Sequence, residues 1–220
     1  GTTTPRAGLD VAHNDGIVAT GQGPDLLTGE PGPGNVADLP TGPGTRLLWI
    51  PQKAAFRTGQ VDGTQWNPNA IGLHSTAFGF GTTASGSGST AFGFGTTASG
   101  SGSTVFGFGT TATENGSTAF GFSTTATGSG STAFGEQASA SGTASTAFGQ
   151  NTIANADYAT AMGQNTTASG LASTALGIGT RASGAGALAS GGIASASGIY
   201  STALGFGTTA SGNQSTALGS

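Results

Sequence analysis

The chain has 220 residues with low charge and no cysteine. It holds five Lys and Arg against nine Asp and Glu, for a formal net charge of −4, and 43 of its residues are Gly. A nucleic-acid partner requires a positive face and a disulfide requires thiols, so we expect neither, and no cysteine metal site. No apolar run approaches about eighteen residues, so we expect no membrane-spanning helix and no membrane contact by this part of the protein.

Residues 1–45 form a first segment rich in Pro and Gly. It carries six prolines and five acidic residues, and its one plausible strand covers residues 16–20. Proline fixes φ and removes a backbone donor, so a long sheet cannot run through this segment. We predict an irregular N-terminal segment. We expect no signal peptide within it.

Residues 46–74 hold the densest apolar run outside the repeats, RLLWIPQKAAFRTGQ. A stack of repeated strands exposes its first member, and something must cover that end. Ala54, Ala55 and Phe56 lie where an irregular first turn of such a stack could begin, and Ala70 aligns with an invariant Ala of the repeats. We therefore predict a cap with irregular first turns, so that the stack starts before Ser75. Arg46, Lys53 and Arg57 also cluster in this segment.

Residues 75–220 repeat one fourteen-residue motif without insertion or deletion. The clearest copies, residues 75–88 and 89–102, both read STAFGFGTTASGSG. Later copies begin at residues 103, 117, 131, 145, 159, 173, 187, 201 and 215. A fixed short period indicates a solenoid, in which each unit buries its apolar face only by stacking on its neighbours. Eleven turns stacked at strand spacing would give a rod on the order of 50 Å long.

Each repeat contains two short runs of alternating character, joined by Gly and Ser. Alternation with frequent Gly indicates strands, because an α-helix would show a 3.6-residue period. The third residue of the repeat is Ala except at Val105, the fifth is always Gly, and the tenth is always Ala. Side chains this small suit the space between two closely packed thin sheets. We therefore predict all three positions inside the solenoid.

The fourth position has the opposite parity and must point outward. It carries a nearly unbroken row of large apolar side chains, interrupted by Ser190: Phe78, Phe92, Phe106, Phe120, Phe134, Phe148, Met162, Leu176, Leu204 and Leu218. In early copies the sixth position adds Phe80, Phe94, Phe108 and Phe122 on the same side. Such a row exceeds the apolar patches of soluble monomers, so we predict that it is buried against other copies of this chain.

The second strand of each repeat presents hydroxyls outward from its ninth and eleventh positions. Representative side chains are Thr83, Ser85, Thr97, Ser99, Thr111, Thr113, Thr167, Ser169, Thr209 and Ser211. The whole repeat region contains only four charged residues, Glu114, Glu136, Asp157 and Arg181. This wettable, uncharged face is the candidate binding surface. Tyr158 and Tyr200 lie in the turns, where a packed turn aromatic is favoured over a contact residue.

The motifs STAFG, STALG and ATAMG, followed by a TTASG-type strand at a period of fourteen, resemble the head repeats of YadA-like trimeric autotransporter adhesins. The resemblance implies a left-handed parallel β-roll with three chains side by side as a homotrimer. It also implies display on the outer surface of a Gram-negative bacterium, for attachment to host cells or extracellular matrix. Signal sequence, stalk and outer-membrane anchor would then lie outside this fragment. The segment AAFRTGQVDGTQW resembles the lead-in of some heads in this family.

Two other functions remain as alternatives. Stacked Thr and Ser ladders could order water, as in an ice-binding solenoid, although Ile153 and Arg181 interrupt the ninth-position row and an ice-binding monomer would not expose a row of Phe. An enzyme would need acids, bases or a His in a groove. His13 and His74 are the only histidines, and adjacent strand residues such as His74 and Ser75 point to opposite faces. We therefore expect no catalysis and no cofactor.

Overall fold

The computed structural model describes residue 39 and residues 41–219. The predicted strand at residues 16–20, His13 and most of the irregular first segment lie outside this part of the chain. The described residues open with strand β1 (Gly44–Ile50), a 3₁₀ turn (Pro51–Lys53) and strand β2 (Ala55–Val61). A second 3₁₀ turn (Pro68–Ala70) precedes the repeats.

Each repeat contributes one longer strand, and every repeat except the last also contributes one shorter strand. The longer strands occupy the second to sixth positions: β3 Thr76–Phe80, β5 Thr90–Phe94, β7 Thr104–Phe108, β9 Thr118–Phe122, β11 Thr132–Glu136, β13 Thr146–Gln150, β15 Thr160–Gln164, β17 Thr174–Ile178, β19 Leu188–Gly192, β21 Thr202–Phe206 and β23 Thr216–Gly219. The shorter strands occupy the ninth and tenth positions: β4 Thr83–Ala84, β6 Thr97–Ala98, β8 Thr111–Ala112, β10 Thr125–Ala126, β12 Ser139–Ala140, β14 Ile153–Ala154, β16 Thr167–Ala168, β18 Arg181–Ala182, β20 Ser195–Ala196 and β22 Thr209–Ala210.

The strands form two sheets of a parallel β-solenoid, as the period predicts. The wide sheet contains β1, β2 and the eleven longer strands of the repeats, and the narrow sheet contains the ten shorter strands. Every repeat strand pairs with the same positions fourteen residues away, for example Phe78 with Phe92 and Ala84 with Ala98. The pairing is parallel throughout the repeats, and among the strands that the structure describes only β1 runs antiparallel, to β2. An insertion-free period therefore brings identical positions into line along the whole stack.

The stacked parallel strands begin before Ser75. Strand β2 pairs in parallel with β3, which aligns Gly59 with Gly79. Ala70, which the repeat count aligns with Ala84, instead ends a 3₁₀ turn and is half-buried. The buried Trp66 occupies the interior near that level, because its Nε1 donates to the Thr82 carbonyl at 2.8 Å.

Four side-chain rows fill the interior of the solenoid. The third-position and tenth-position residues are buried, from Ala77 to Ala203 and from Ala84 to Ala210. The first-position Ser and eighth-position Thr are buried as well, as at Ser89 and Thr96. These two hydroxyl rows were not predicted, although extending the alternation two residues back from each Ala points to them.

The prediction that the fifth-position Gly lies inside the solenoid is wrong. These glycines are half-buried or exposed, and their φ angles lie between +116° and +136°. At Gly107 a Cβ atom would lie 1.9 Å from the Gly121 carbonyl oxygen on the next strand. Glycine is therefore required because the backbone bends here and packs directly on the next backbone, and the alternation that places the third position inside stops at this bend.

Candidate interaction faces

The outward side of the wide sheet carries the fourth-position row in a single line. Each residue of the row lies opposite its counterpart on the next strand, from Phe78 through Ser190 to Leu218. Adjacent rings of the six Phe side chains have centroids 4.8–6.0 Å apart, and all pairs are stacked except Phe134–Phe148, whose planes are tilted by 32°. Phe78 keeps 48% of its surface exposed and Phe148 51%. The single chain therefore leaves a long apolar ridge only partly covered by its own stacking.

A second row runs beside it at the sixth position and changes character along the rod. Its first four members, Phe80, Phe94, Phe108 and Phe122, stack with ring centroids 4.7–5.2 Å apart. The next three form a polar ladder, in which Gln164 Nε2 donates to Gln150 Oε1 at 2.6 Å and Gln150 Nε2 donates to Glu136 Oε2 at 3.1 Å. Glu136 is the one charged side chain at this row's described positions.

The outward side of the narrow sheet carries the predicted hydroxyl ladder. The ninth-position residues lie in register, beginning Thr83, Thr97, Thr111 and Thr125. Most of the predicted side chains are half-buried, while Ser99, Thr209 and Ser211 are exposed. Ile153 and Arg181 interrupt the ninth-position line and are themselves exposed. Hydroxyls occupy the ninth position without interruption over the first five repeats, through Ser139, and the face is mixed beyond them.

Arg57 is buried at the first level of the solenoid. It lies opposite Ala77 at a third-position site and is fully buried. Its Nη1 donates to the carbonyls of Phe56 and Ser75 at 2.8 Å. Its Nη2 donates to Ser75 Oγ at 2.6 Å and to the Ala84 carbonyl at 2.8 Å. Burial lowers the pKa of Arg57 to about 10, so the side chain stays cationic at neutral pH. It fills the end of the core and is held there by hydrogen bonds to backbone carbonyl oxygens.

The three basic residues of residues 46–74 therefore do not form an open positive patch. Lys53 Nζ donates to the carbonyls of Pro68 and Ile71 at 2.9 and 2.6 Å. Burial, followed by the charge of Arg57, lowers the pKa of Lys53. Arg46 Nη2 donates to the Gly42 carbonyl at 2.7 Å. Each of the three cations donates hydrogen bonds to backbone carbonyls, so few of its donors remain to bind a charged ligand.

The turns between sheets present two exposed tyrosines in a left-handed conformation. Tyr158 and Tyr200 have φ angles of 59° and 55° and are 63% and 67% exposed. Glycine occupies the same fourteenth position in copies such as Gly88 and Gly102. The Tyr200 ring lies over Gly186, where an added Cβ would meet Cδ1 at 2.5 Å. These turn aromatics therefore gain little burial, in contrast to the packed turn aromatic that the sequence favours.

The described residues contain no group of three or more His, Asp or Glu side chains able to hold a metal ion. Ser75, next to His74, is buried and donates its Oγ to the Gly72 carbonyl at 2.6 Å, whereas His74 is exposed. The two residues thus form no nucleophile pair. Within the described range, no helix has the length and hydropathy required to cross a bilayer.

Comparison with known protein families matches the repeat region. The family model described as "YadA head domain repeat (2 copies)" matches residues 70–96, 98–124, 126–152, 140–166, 154–180, 168–194, 182–208 and 196–220. The chain belongs to the YadA head repeat family. The resemblance found from STAFG and TTASG is thereby confirmed. A comparison with curated proteins finds no match. The matched YadA head repeats begin after β1 and β2, so these two strands lie outside the family match.

Proposed function

We propose that this chain is the head of a trimeric autotransporter adhesin displayed on the surface of a Gram-negative bacterium. In this proposal three chains form left-handed rolls side by side and attach to host cells or extracellular matrix. The observation that carries the proposal is the in-register apolar ridge on a chain of the YadA head family. The anchor in the outer membrane would be supplied by other parts of the protein.

The apolar ridge supports association between copies of the chain. Full burial of a Phe side chain stabilises by about 1.5–3 kcal/mol, and the fourth-position row contains six Phe, one Met and three Leu. The row itself carries no charge, so its burial leaves no unpaired ion. Obligate interfaces between subunits are similarly apolar, and their composition resembles that of a domain core divided between two partners.

The hydroxyl ladder of the narrow sheet supports attachment to a repetitive ligand. Its outward positions recur at the strand spacing of about 4.8 Å and carry mostly Thr and Ser. Contacts of this kind are weak singly, but three rolls with many repeats each can bind together and gain avidity. Because the face is nearly uncharged, the affinity should change little between about 0.05 and 0.5 M salt.

Binding of the 220-residue chain to immobilised extracellular matrix and to cultured host cells tests the proposal. The variant Thr83→Glu with Thr111→Glu places two carboxylates on the hydroxyl ladder. The matched control, Ser101→Glu with Ser129→Glu, places the same charge in exposed turns two repeats apart. We expect the ladder variant to lose at least about tenfold in apparent affinity through added desolvation cost, and the turn variant to bind normally. Equal binding by both variants, or loss only in the turn variant, would reject the ladder as the contact surface.

An ice-binding function is the alternative that the hydroxyl ladder suggests. It would require a regular face, whereas Ile153 and Arg181 break the ninth-position line. Thermal hysteresis measured at high protein concentration distinguishes the two functions. The adhesin proposal predicts none.

A further inference from the structure

We propose that the outward side of the β1–β2 hairpin, centred on Leu47 and Trp49, packs against a second copy of the same chain and closes the end of the subunit interface. The inference rests on the proposed side-by-side assembly and extends it to residues outside the family match. The hairpin would then seal the interior of one roll and also join neighbouring rolls.

The register of the wide sheet places this hairpin on the apolar ridge. Leu47 lies opposite Thr58, which lies opposite Phe78, the first residue of the fourth-position row. Trp49 lies opposite Phe56, which lies opposite Thr76 at the second position. The outward row that contains the ridge therefore continues into the hairpin, where Thr58 separates Leu47 from Phe78. Trp49 and Phe56 add two aromatic side chains to the neighbouring row, which carries Thr in most repeats.

The exposure of the hairpin side chains alternates as an interface would require. Ile50 is buried and Leu48 is half-buried against the core, whereas Leu47 is 68% and Trp49 45% exposed. An exposed Trp next to an exposed Leu on one sheet face is unfavourable for a free surface. Trp is also the residue type most enriched among the side chains that dominate binding energy.

The hairpin side that faces outward carries no charge that would oppose contact between identical chains. Its outward residues are Thr45, Leu47, Trp49, Phe56, Thr58 and Gln60. The nearby cations are bound elsewhere: Arg57 lies inside the core, and Arg46 donates to the carbonyls of residues 41–43. A second copy of the chain therefore matches this surface, because its own apolar ridge and hairpin are uncharged as well.

Tryptophan fluorescence tests the inference, because the chain has only two Trp residues. Trp66 is fully buried in the single chain, so quencher-accessible emission belongs to Trp49. Acrylamide quenching is measured on the assembled protein and on the diluted chain, with Trp49→Phe supplying the signal of Trp66 alone. We expect the Trp49 emission to be several-fold less quenched in the assembly. If Trp49 is quenched equally in the assembly and in the diluted chain, although the assembly has the mass of three chains, this inference is overturned and the proposed assembly stands.

Substitutions provide an independent measurement. Trp49→Ser and Leu47→Ser should each raise the concentration at which half the assembly dissociates by about tenfold or more. The control Leu73→Ser removes a side chain that is 49% exposed but lies in the turn before β3 and belongs to neither sheet, and it should change that concentration less than about twofold. Circular dichroism first establishes that each variant is folded. Equal effects of the three substitutions would reject the role of the hairpin. If the wild-type chain is a monomer at all concentrations, the proposed assembly fails together with this inference.

Discussion

Replacing Phe106 by Ser should weaken the assembly strongly. Phe106 is half-buried in the single chain, stacked between Phe92 at 4.9 Å and Phe120 at 4.8 Å. Its loss removes apolar contact and leaves a hole in the ridge, at a cost of about 2 kcal/mol per chain. Three chains together lose about 6 kcal/mol, which is roughly four orders of magnitude in the trimer dissociation constant. Because that constant depends on the square of concentration, the midpoint of dissociation should rise about 100-fold.

The assay is light scattering over a dilution series, with circular dichroism to confirm the fold. Phe106→Leu is a matched control, since Leu176 and Leu204 occupy the same row in the native chain. It should shift the midpoint by less than about tenfold. Thr111→Ser, on the narrow sheet, should leave the midpoint unchanged. The assignment of the fourth position to the interface is refuted if Phe106→Ser and Thr111→Ser dissociate at the same concentration.

Three further predictions concern the fold of each chain. Gly107→Ala should cost more than about 4 kcal/mol or prevent folding, because its Cβ would lie 1.9 Å from the Gly121 oxygen. Gly102→Ala, with a φ of +66° and no atom within 4 Å, should cost only about 1–2 kcal/mol. Similar melting temperatures would contradict this account of the fifth-position glycines. Arg57→Met should destabilise the first turns through lost hydrogen bonds to Ser75 and Ala84, seen as faster amide exchange there. The pKa of Arg57 is lower in the folded chain, so the folded state binds fewer protons above about pH 10. Stability of the wild type relative to Arg57→Met should therefore be constant from pH 6 to 9 and rise above about pH 10, and a fall there would show the sign to be wrong.

The sequence predicts the solenoid well because its period is uninterrupted. Fourteen-residue spacing without insertion fixes which residues lie opposite each other, and small residues at the third and tenth positions identify two interior rows. The fifth-position Gly was wrongly predicted to be interior because a small residue was taken to be a buried one. A glycine can also be required by a positive φ and a close backbone neighbour, as at Gly107.

The first turn could not be predicted to the same depth. Gly59 pairs with Gly79, a spacing of twenty residues rather than fourteen, so the fourteen-residue period does not predict that Arg57 occupies an interior position. Arginine is almost never fully buried without partners, and its partners here are carbonyls that the sequence does not distinguish. The alignment of Leu47 and Trp49 with the apolar ridge likewise depends on the antiparallel register of β1 and β2.

The solution mass of the 220-residue chain, measured by light scattering during size exclusion, tests the central claim most directly. The account predicts about 63 kDa, three times the chain mass of 20.9 kDa, falling toward the mass of one chain only on strong dilution. A stable single-chain mass at high protein concentration would contradict it, because the ridge from Phe78 to Leu218 would then have no second copy to cover it.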